Sequence, residues 1–476
     1  MDNILKKESI LYGLGHILAR LISFLLLPLF TNILSPHEYG IVALIYAFIG
    51  FFTVVLHMGL DTALLRYYKP ANNEDKIKFT TNTYIPMLTV NIIFCIIGIL
   101  TYQTLGIYII GDASSILVIM ILGILFCDVL WSIPMIMLRA DNHPIHFIVF
   151  NLINVVSNLV FIYYFVIYHS SGLTGIILSN LLSSILLVII TFHIIWNKLS
   201  LLQLNYKVFK QLASFGVPFV FAGIFSMIIE LSDRYIIKYM LGFEQLGIYN
   251  AGYKLGMLML LIVMGFNMAW QPFFLDKKNK KNKTLIISIS NTMFLVFSVL
   301  ASGIIILAEP ISKIEVFSFQ LIGPEFQNSL QIIPWICIGY LFHGAYLLQL
   351  PGPYLTNNTS MIATIRGSGA TINIMLNFLL IPKFGIQGAA IATCLSFFIM
   401  AIFIFIYNKK IYPINYNKYK MLLALIIIGM SCWIVAKNPS TPIRLFIVTS
   451  MICVMGAFIN SNIGKLQLRA NESIRE

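Results

Sequence analysis

The sequence is short of charge. Only 10% of its 476 residues are Asp, Glu, Lys or Arg, where a soluble domain carries about 25%. A chain that poor in charge cannot clothe one core with a polar surface, so a soluble globular protein is excluded. Cysteine is also scarce. The six (Cys95, Cys127, Cys337, Cys394, Cys432, Cys453) all fall inside apolar runs and form no Cys-x-x-Cys pair, which argues against a disulfide framework or a zinc ribbon. The histidines are scattered, with no His-x-x-x-His or Glu-x-x-His pair, so no metal is expected. No Walker A loop is present to bind ATP. No connection is long enough to hold a soluble catalytic domain or the paired carboxylates of a glycosyltransferase. Neither a cofactor nor enzymatic activity is expected.

What is present is apolar. Residues of the hydrophobic types make up 59% of the chain. Runs long enough to span a bilayer occur near 10–30, 39–60, 83–105, 115–138, 146–168, 173–196, 212–232, 246–266, 284–308, 328–350, 361–381, 386–407, 420–436 and 443–460. About fourteen transmembrane helices are therefore expected, in an all-α integral membrane fold. Lys6 and Lys7 precede the first run, but it contains Arg20 and ends at Pro28 without a small-x-small cleavage pattern. It reads as a permanent span, not a removed signal.

The formal charge of +13 is spread over connections beside apolar runs, with no nucleic-acid motif near it, so it speaks for membrane orientation. Alternate connections and both tails hold 22 Lys and Arg residues, including Arg66, Lys76, Arg139, Lys198 and the run Lys277 to Lys283. The opposite set holds six: Arg234, Lys238, Lys313, Lys383, Lys437 and Arg444. Both termini are therefore expected in the cytoplasm.

The chain also repeats itself. Leu34-x5-Gly40-Ile41-x4-Tyr46 returns as Leu241-x5-Gly247-Ile248-x4-Tyr253, and Gly172-x-x-Gly175-x6-Leu182-Ser183 returns as Gly385-x-x-Gly388-x6-Leu395-Ser396. The shift is close to six spans, so the copies share orientation. The expected organisation is one six-helix lobe over 1–200, a second over 201–410, and two added helices and a tail over 411–476.

Ionisable groups inside spans cost about 2.5–3.5 kcal/mol each on insertion scales, so each needs a partner, a wet cavity or a task. Arg20, Lys254 and Arg366 are cationic and come from both halves. Together they suit an anion such as a phosphate or pyrophosphate, though each also has a plainer reading as a snorkelling or paired side chain. Asp128 lies well inside its span and is either structurally paired or a site for a coupling ion. Glu230, Asp233 and Arg234 cluster at a span end, with Glu230 and Arg234 spaced i, i+4 for a local ion pair. Asn154/Asn158 and Asn373/Asn377 are spaced alike in comparable spans, as expected of helix–helix hydrogen bonding.

Several motifs resemble one family. They are Leu34-Ser35-Pro36-x-Glu38-Tyr39-Gly40, Gly59-Leu60-Asp61-Thr62-Ala63-x-x-Arg66, Phe215-Gly216-Val217-Pro218, Asp233-Arg234-Tyr235-Ile236-Ile237, Leu241-Gly242-x4-Gly247-Ile248-Tyr249, Trp270-Gln271-Pro272-Phe273 and Ile381-Pro382-Lys383-Phe384-Gly385-Ile386-x-Gly388-Ala389-Ala390. In this order they resemble the polysaccharide biosynthesis flippases, the O-antigen flippase-like branch of the superfamily that includes the multidrug and toxin extrusion transporters. The resemblance implies two six-helix lobes around a cationic cavity, in the bacterial cytoplasmic (inner) membrane. Its implied cargo is an undecaprenyl-pyrophosphate-linked oligosaccharide, moved by alternating access for O-antigen or capsule synthesis. A proton or sodium gradient would drive the step, and a polysaccharide polymerase would be a partner. Lipid II flippases and cation-coupled drug exporters of the same fold are the runner-up readings.

Overall fold

The computed structural model describes residues 24, 26–276, 282–316, 319–356, 358, 360–413 and 417–456. Arg20, most of the first apolar run, four of the lysines between 277 and 283, and the charged tail beyond 456 lie outside them. The described chain is helical apart from a two-residue hairpin, Glu315–Val316 against Phe319–Gln320. Among the described residues eleven helices are long and apolar enough to cross a membrane, and Thr441–Gly456 is a shorter apolar one. The chain divides into two compact units at Asn250/Ala251.

The first unit holds α1 (Leu27–Ile33), α2 (Pro36–Leu56), α3 (Leu60–Tyr68), α4 (Asn73–Leu100), α5 (Tyr102–Ile109), α6 (Ser115–Ala140), α7 (Pro144–Ile162), α8 (Gly172–Trp196) and most of α9 (Tyr206–Gly256). The polar break before α2 is a capping box. The Ser35 hydroxyl accepts from the Glu38 amide at 3.2 Å, the Glu38 carboxylate accepts from the Ser35 amide at 3.0 Å, and Pro36 sits in the first turn. Such a box satisfies two orphan donors where the chain enters the apolar run. The 21 residues of α2 then rise about 32 Å, a bilayer's hydrocarbon thickness. Tyr39 to Ile45 are buried without a break, so this end of α2 is enclosed by protein on every side. By contrast α4 exposes Ile92, Ile93, Ile96, Ile97 and Leu100. An apolar exterior is what a lipid-facing helix needs.

One boundary differs from the sequence reading. Helix α4 begins at Asn73, ten residues before the apolar run, because the Asn72 side chain caps it by accepting from the Asp75 amide at 2.8 Å. Glu74 and Asp75 then complement the helix dipole. The runs near 212–232 and 246–266 stay separate helices, as expected: within α9 the helix breaks at Gly242 with φ 88°, a conformation glycine adopts without strain.

The second unit continues with α10 (Leu258–Leu275), α11 (Lys283–Ser312), α12 (Ile333–Leu347), α13 (Pro351–Leu355), α14 (Ser360–Phe384), α15 (Ile386–Ile411), α16 (Lys418–Lys437) and α17 (Thr441–Gly456). Helix α15 packs on both α12 and α14, and α16 lies along α11. The expected run near 361–381 forms α14, a long helix outside the set of eleven. Gly172 and Gly385 precede or open equivalent helices with φ of 49° and 57°.

Candidate transport site

In the first unit, Asp128 of α6 is the centre of a polar chain that crosses three helices. Its Oδ1 accepts from the Ser184 hydroxyl of α8 at 2.7 Å and from the Trp131 indole N–H at 3.0 Å. One turn along α8, Asn180 donates to the Tyr46 hydroxyl of α2 at 3.0 Å. His57 lies near the same carboxylate. Its Nδ1 is 2.6 Å from the Thr53 carbonyl, which only accepts, so Nδ1 carries hydrogen. Its Nε2 is 2.8 Å from the Ser132 hydroxyl, which itself donates to the Val129 carbonyl at 2.8 Å. Trp131, three residues after Asp128, was legible as a neighbour on one helix face; Ser184, Asn180 and Tyr46 were not.

Asp233 and Arg234 form an ion pair. Asp233 is fully buried; its carboxylate accepts from Arg234 at 2.8 Å and from the Tyr249 hydroxyl at 2.5 Å. Arg234 also donates to the backbone carbonyl of Glu230. Arg234 is therefore held by its neighbour's carboxylate and by the main chain of the residue one turn before it. The Tyr39 hydroxyl of α2 faces Arg234 and Asn250.

A third cluster ties three connections together. Asp141, after α6, accepts from Lys76 at 2.6 Å and Lys198 at 3.1 Å, and from the Tyr68 hydroxyl at 2.9 Å. Both ammonium groups also lie over the Tyr68 ring, at 4.8 and 5.1 Å from its centroid. Burial alone would raise the Asp141 pKa, but the hydrogen bonds from Lys76, Tyr68 and Lys198 outweigh it and hold the carboxyl below its usual value. Lys76 in the first turn of α4, Asp141 after α6 and Lys198 after α8 thus meet at one place in this unit.

In the second unit, Lys254 is half-buried in the last turn of α9. Beside it the Tyr253 and Tyr340 hydroxyls share a hydrogen bond of 2.5 Å. Tyr46 and Tyr253 are equivalent in the repeat, and each bonds within its own unit. Arg366, half-buried in α14, lies beside His343 and Tyr346 of α12. The His343 ring stacks on Phe397, with centroids 4.8 Å apart.

The asparagines bond between and along helices. Asn158 donates to Ser183 at 3.2 Å, Asn373 reaches Thr393 at 3.5 Å, and Asn377 donates to the Asn373 side chain at 3.0 Å. Near the other end of this unit, Arg444 is 2% exposed and donates to Glu309 at 2.8 Å and to the Pro439 carbonyl at 2.9 Å. Among the described residues no three His, Cys, Asp or Glu side chains group to hold a metal.

The fold is shared with known transporters. A lipid II flippase MurJ in an inward closed conformation superposes with a TM-score of 0.78 at 16% identity, covering 95% of this chain and 99% of that one. An inward-facing multidrug resistance MATE family transporter gives 0.62 at 13% identity, covering 84% and 94%. In sequence, a putative O-antigen transporter of Shigella flexneri is 21% identical over 48% of this chain and 54% of its own length. An uncharacterized membrane protein of Methanocaldococcus jannaschii is 23% identical over 87% and 86%. These likenesses agree with a multi-pass membrane transporter or flippase. The polysaccharide biosynthesis protein family matches residues 5–278, more than half of the length, and this chain belongs to that family.

Proposed function

We propose that this protein flips undecaprenyl-pyrophosphate-linked oligosaccharide repeat units across the bacterial cytoplasmic membrane for surface polysaccharide synthesis. The observation that carries this reading is the family match over residues 5–278. In this account two six-helix lobes, 1–200 and 201–410, work by alternating access, with 411–476 appended and both termini in the cytoplasm. Arg20, Lys254 and Arg366 hold the pyrophosphate, the arginines by two-pronged hydrogen bonds and the lysine as a point charge. Asp128, hydrogen-bonded across α6 and α8, takes the coupling proton or sodium ion. The cluster of Glu230, Asp233 and Arg234 orders the end of its span beside Tyr39. A polysaccharide polymerase receives the flipped unit.

The test is deletion in the native host, followed by mass analysis of lipid-linked glycans. Accumulated single repeat units with loss of surface polysaccharide support the reading. Accumulated lipid II supports instead the second reading, which the likeness to the lipid II flippase fold favours. An unchanged lipid pool and unchanged surface glycan refute both.

A further inference from the structure

Asp128 lies midway along α6, about 18–20 Å from either end at helical rise, where an uncompensated carboxylate is expensive. Its Oδ1 accepts from two hydrogen donors, the Ser184 hydroxyl and the Trp131 indole. The indole N–H has no acceptor role, so this oxygen is dressed as a carboxylate and not as an acid. Among the described residues the cation-forming group that acts on Asp128 is His57.

His57 follows directly on α2. Met58 and Gly59 take left-handed φ of 53° and 68° and turn the chain there. The imidazole therefore sits at the helix C-terminus, the end whose dipole favours a cation. Its Nδ1 donates to the Thr53 carbonyl. Its Nε2 meets the Ser132 hydroxyl. A hydroxyl has one hydrogen, and that of Ser132 goes to the Val129 carbonyl. Ser132 is left with lone pairs toward the ring, so Nε2 donates as well. A histidine that donates from both nitrogens is an imidazolium. The two acceptors, the helix end and the carboxylate on α6 thus agree on a positive ring. Turning the Ser132 hydroxyl from Val129 to Nε2 accommodates the neutral ring with no heavy atom moved. His57, Ser132 and Asp128 are each half-buried, not sealed.

The other titratable groups around this pair are uncharged types or are engaged elsewhere. Tyr46 of α2 and Cys127 of α6 lie near Asp128, and Cys95 of α4 lies near Cys127. Helix α8 brings Ser184 and Asn180, α5 carries only tyrosines and α1 holds no titratable residue. On the chain after His57, Asp61 accepts from the Thr62 hydroxyl at 3.4 Å and Arg66 covers the Phe215 ring at 4.2 Å.

We propose that His57 is a proton-binding site of this protein, an imidazolium at neutral pH that serves as the counter-ion of Asp128, with Ser132 as the hydroxyl that turns when the proton leaves. The proposal deepens the transporter reading and rests on it for one step: the coupling ion is a proton, not sodium. The proton that Asp128 takes is the one His57 holds here. The Nε2–H bond breaks, an O–H bond forms on the carboxyl, and the net charge of the pair stays zero.

The experiment needs no cargo, so its failure is separate from failure of the flippase reading. Full-length protein with isotope-labelled histidine is reconstituted in lipid bilayers, and its nitrogen NMR spectrum is taken at about pH 7.5 in potassium chloride. A histidine with the ordinary pKa of about 6.5 is then about 10% charged. One ring should have both nitrogens protonated, with a charged fraction at least about fivefold higher, and its signal should vanish in His57→Gln. Asp128→Asn should return that ring to the neutral form, and Asp128→Glu should keep it charged. Replacing potassium with sodium should leave the signal unchanged. Every ring neutral at this pH, no charged signal lost in His57→Gln, a His57 signal indifferent to Asp128→Asn, or one abolished by sodium overturns the proposal. The wild-type and His57→Gln spectra decide it where Asp128→Asn does not fold.

Discussion

Replacing Asp141 with asparagine removes the one negative charge shared by Lys76, Lys198 and Tyr68 while keeping the side chain's shape. The exposures of the three ionic side chains set the size of the loss: 19% for Asp141, 21% for Lys76 and 31% for Lys198. Fully exposed pairs contribute about 0.2–1 kcal/mol and breaking a buried pair costs about 3–5, so this half-buried site should lose about 1–3 kcal/mol. The sign of the pH dependence follows from the Asp141 carboxyl being held below its usual pKa. The unfolded chain takes up the proton first as pH falls, so the stabilisation is complete above the ordinary carboxylate pKa of about 3.9 and is lost as pH drops through the folded value. Thermal unfolding of the detergent-solubilised protein should show Asp141→Asn melting below the wild type at neutral pH, with the gap closing below about pH 4. A variant within about 0.5 kcal/mol of wild type at neutral pH, or a gap that does not change with pH, refutes the reasoning.

Three further outcomes are expected. Lys254→Gln and Arg366→Gln should each reduce complementation of a flippase deletion at least about tenfold with membrane levels unchanged, since each removes a cation costing about 2.5–3.5 kcal/mol to place in a span; immunoblots and surface-glycan staining check this. Asp128→Asn should abolish gradient-driven transport, whereas Ser184→Ala, which removes only the 2.7 Å donor, should weaken it; uptake by vesicles with and without an imposed gradient separates the two. Arg444→Met should cost about 1–3 kcal/mol by unpinning α17 from Glu309 and the Pro439 carbonyl; faster proteolysis near residues 437–444 would register it.

The spans were legible because about 20 apolar residues in a row have one use in water-poor surroundings. The start of α4 was not, because its first turn is polar and is fixed by the Asn72 cap. The glycines of the repeat were visible as a pattern, and their φ values of 49° and 57° at Gly172 and Gly385 give part of the reason. That Gly40 and Gly247 press on each other's main chains could not be read from spacing, since the contact joins residues 207 apart. The Asp141 cluster was hidden for the same reason: Lys76, Asp141 and Lys198 are distant in sequence and meet only when three connections converge. Arg234 bonds the Glu230 carbonyl and the adjacent Asp233 carboxylate.

The central claim is that this chain moves a lipid-linked saccharide. Purified protein should be reconstituted into liposomes with a fluorescent undecaprenyl-pyrophosphate-linked saccharide, and the fraction reaching the opposite leaflet measured by a membrane-impermeant quencher. The account predicts translocation well above that of protein-free liposomes, abolished by the paired substitutions Lys254→Gln and Arg366→Gln. Translocation no faster than in protein-free liposomes, with an imposed proton or sodium gradient of either sign, would contradict it.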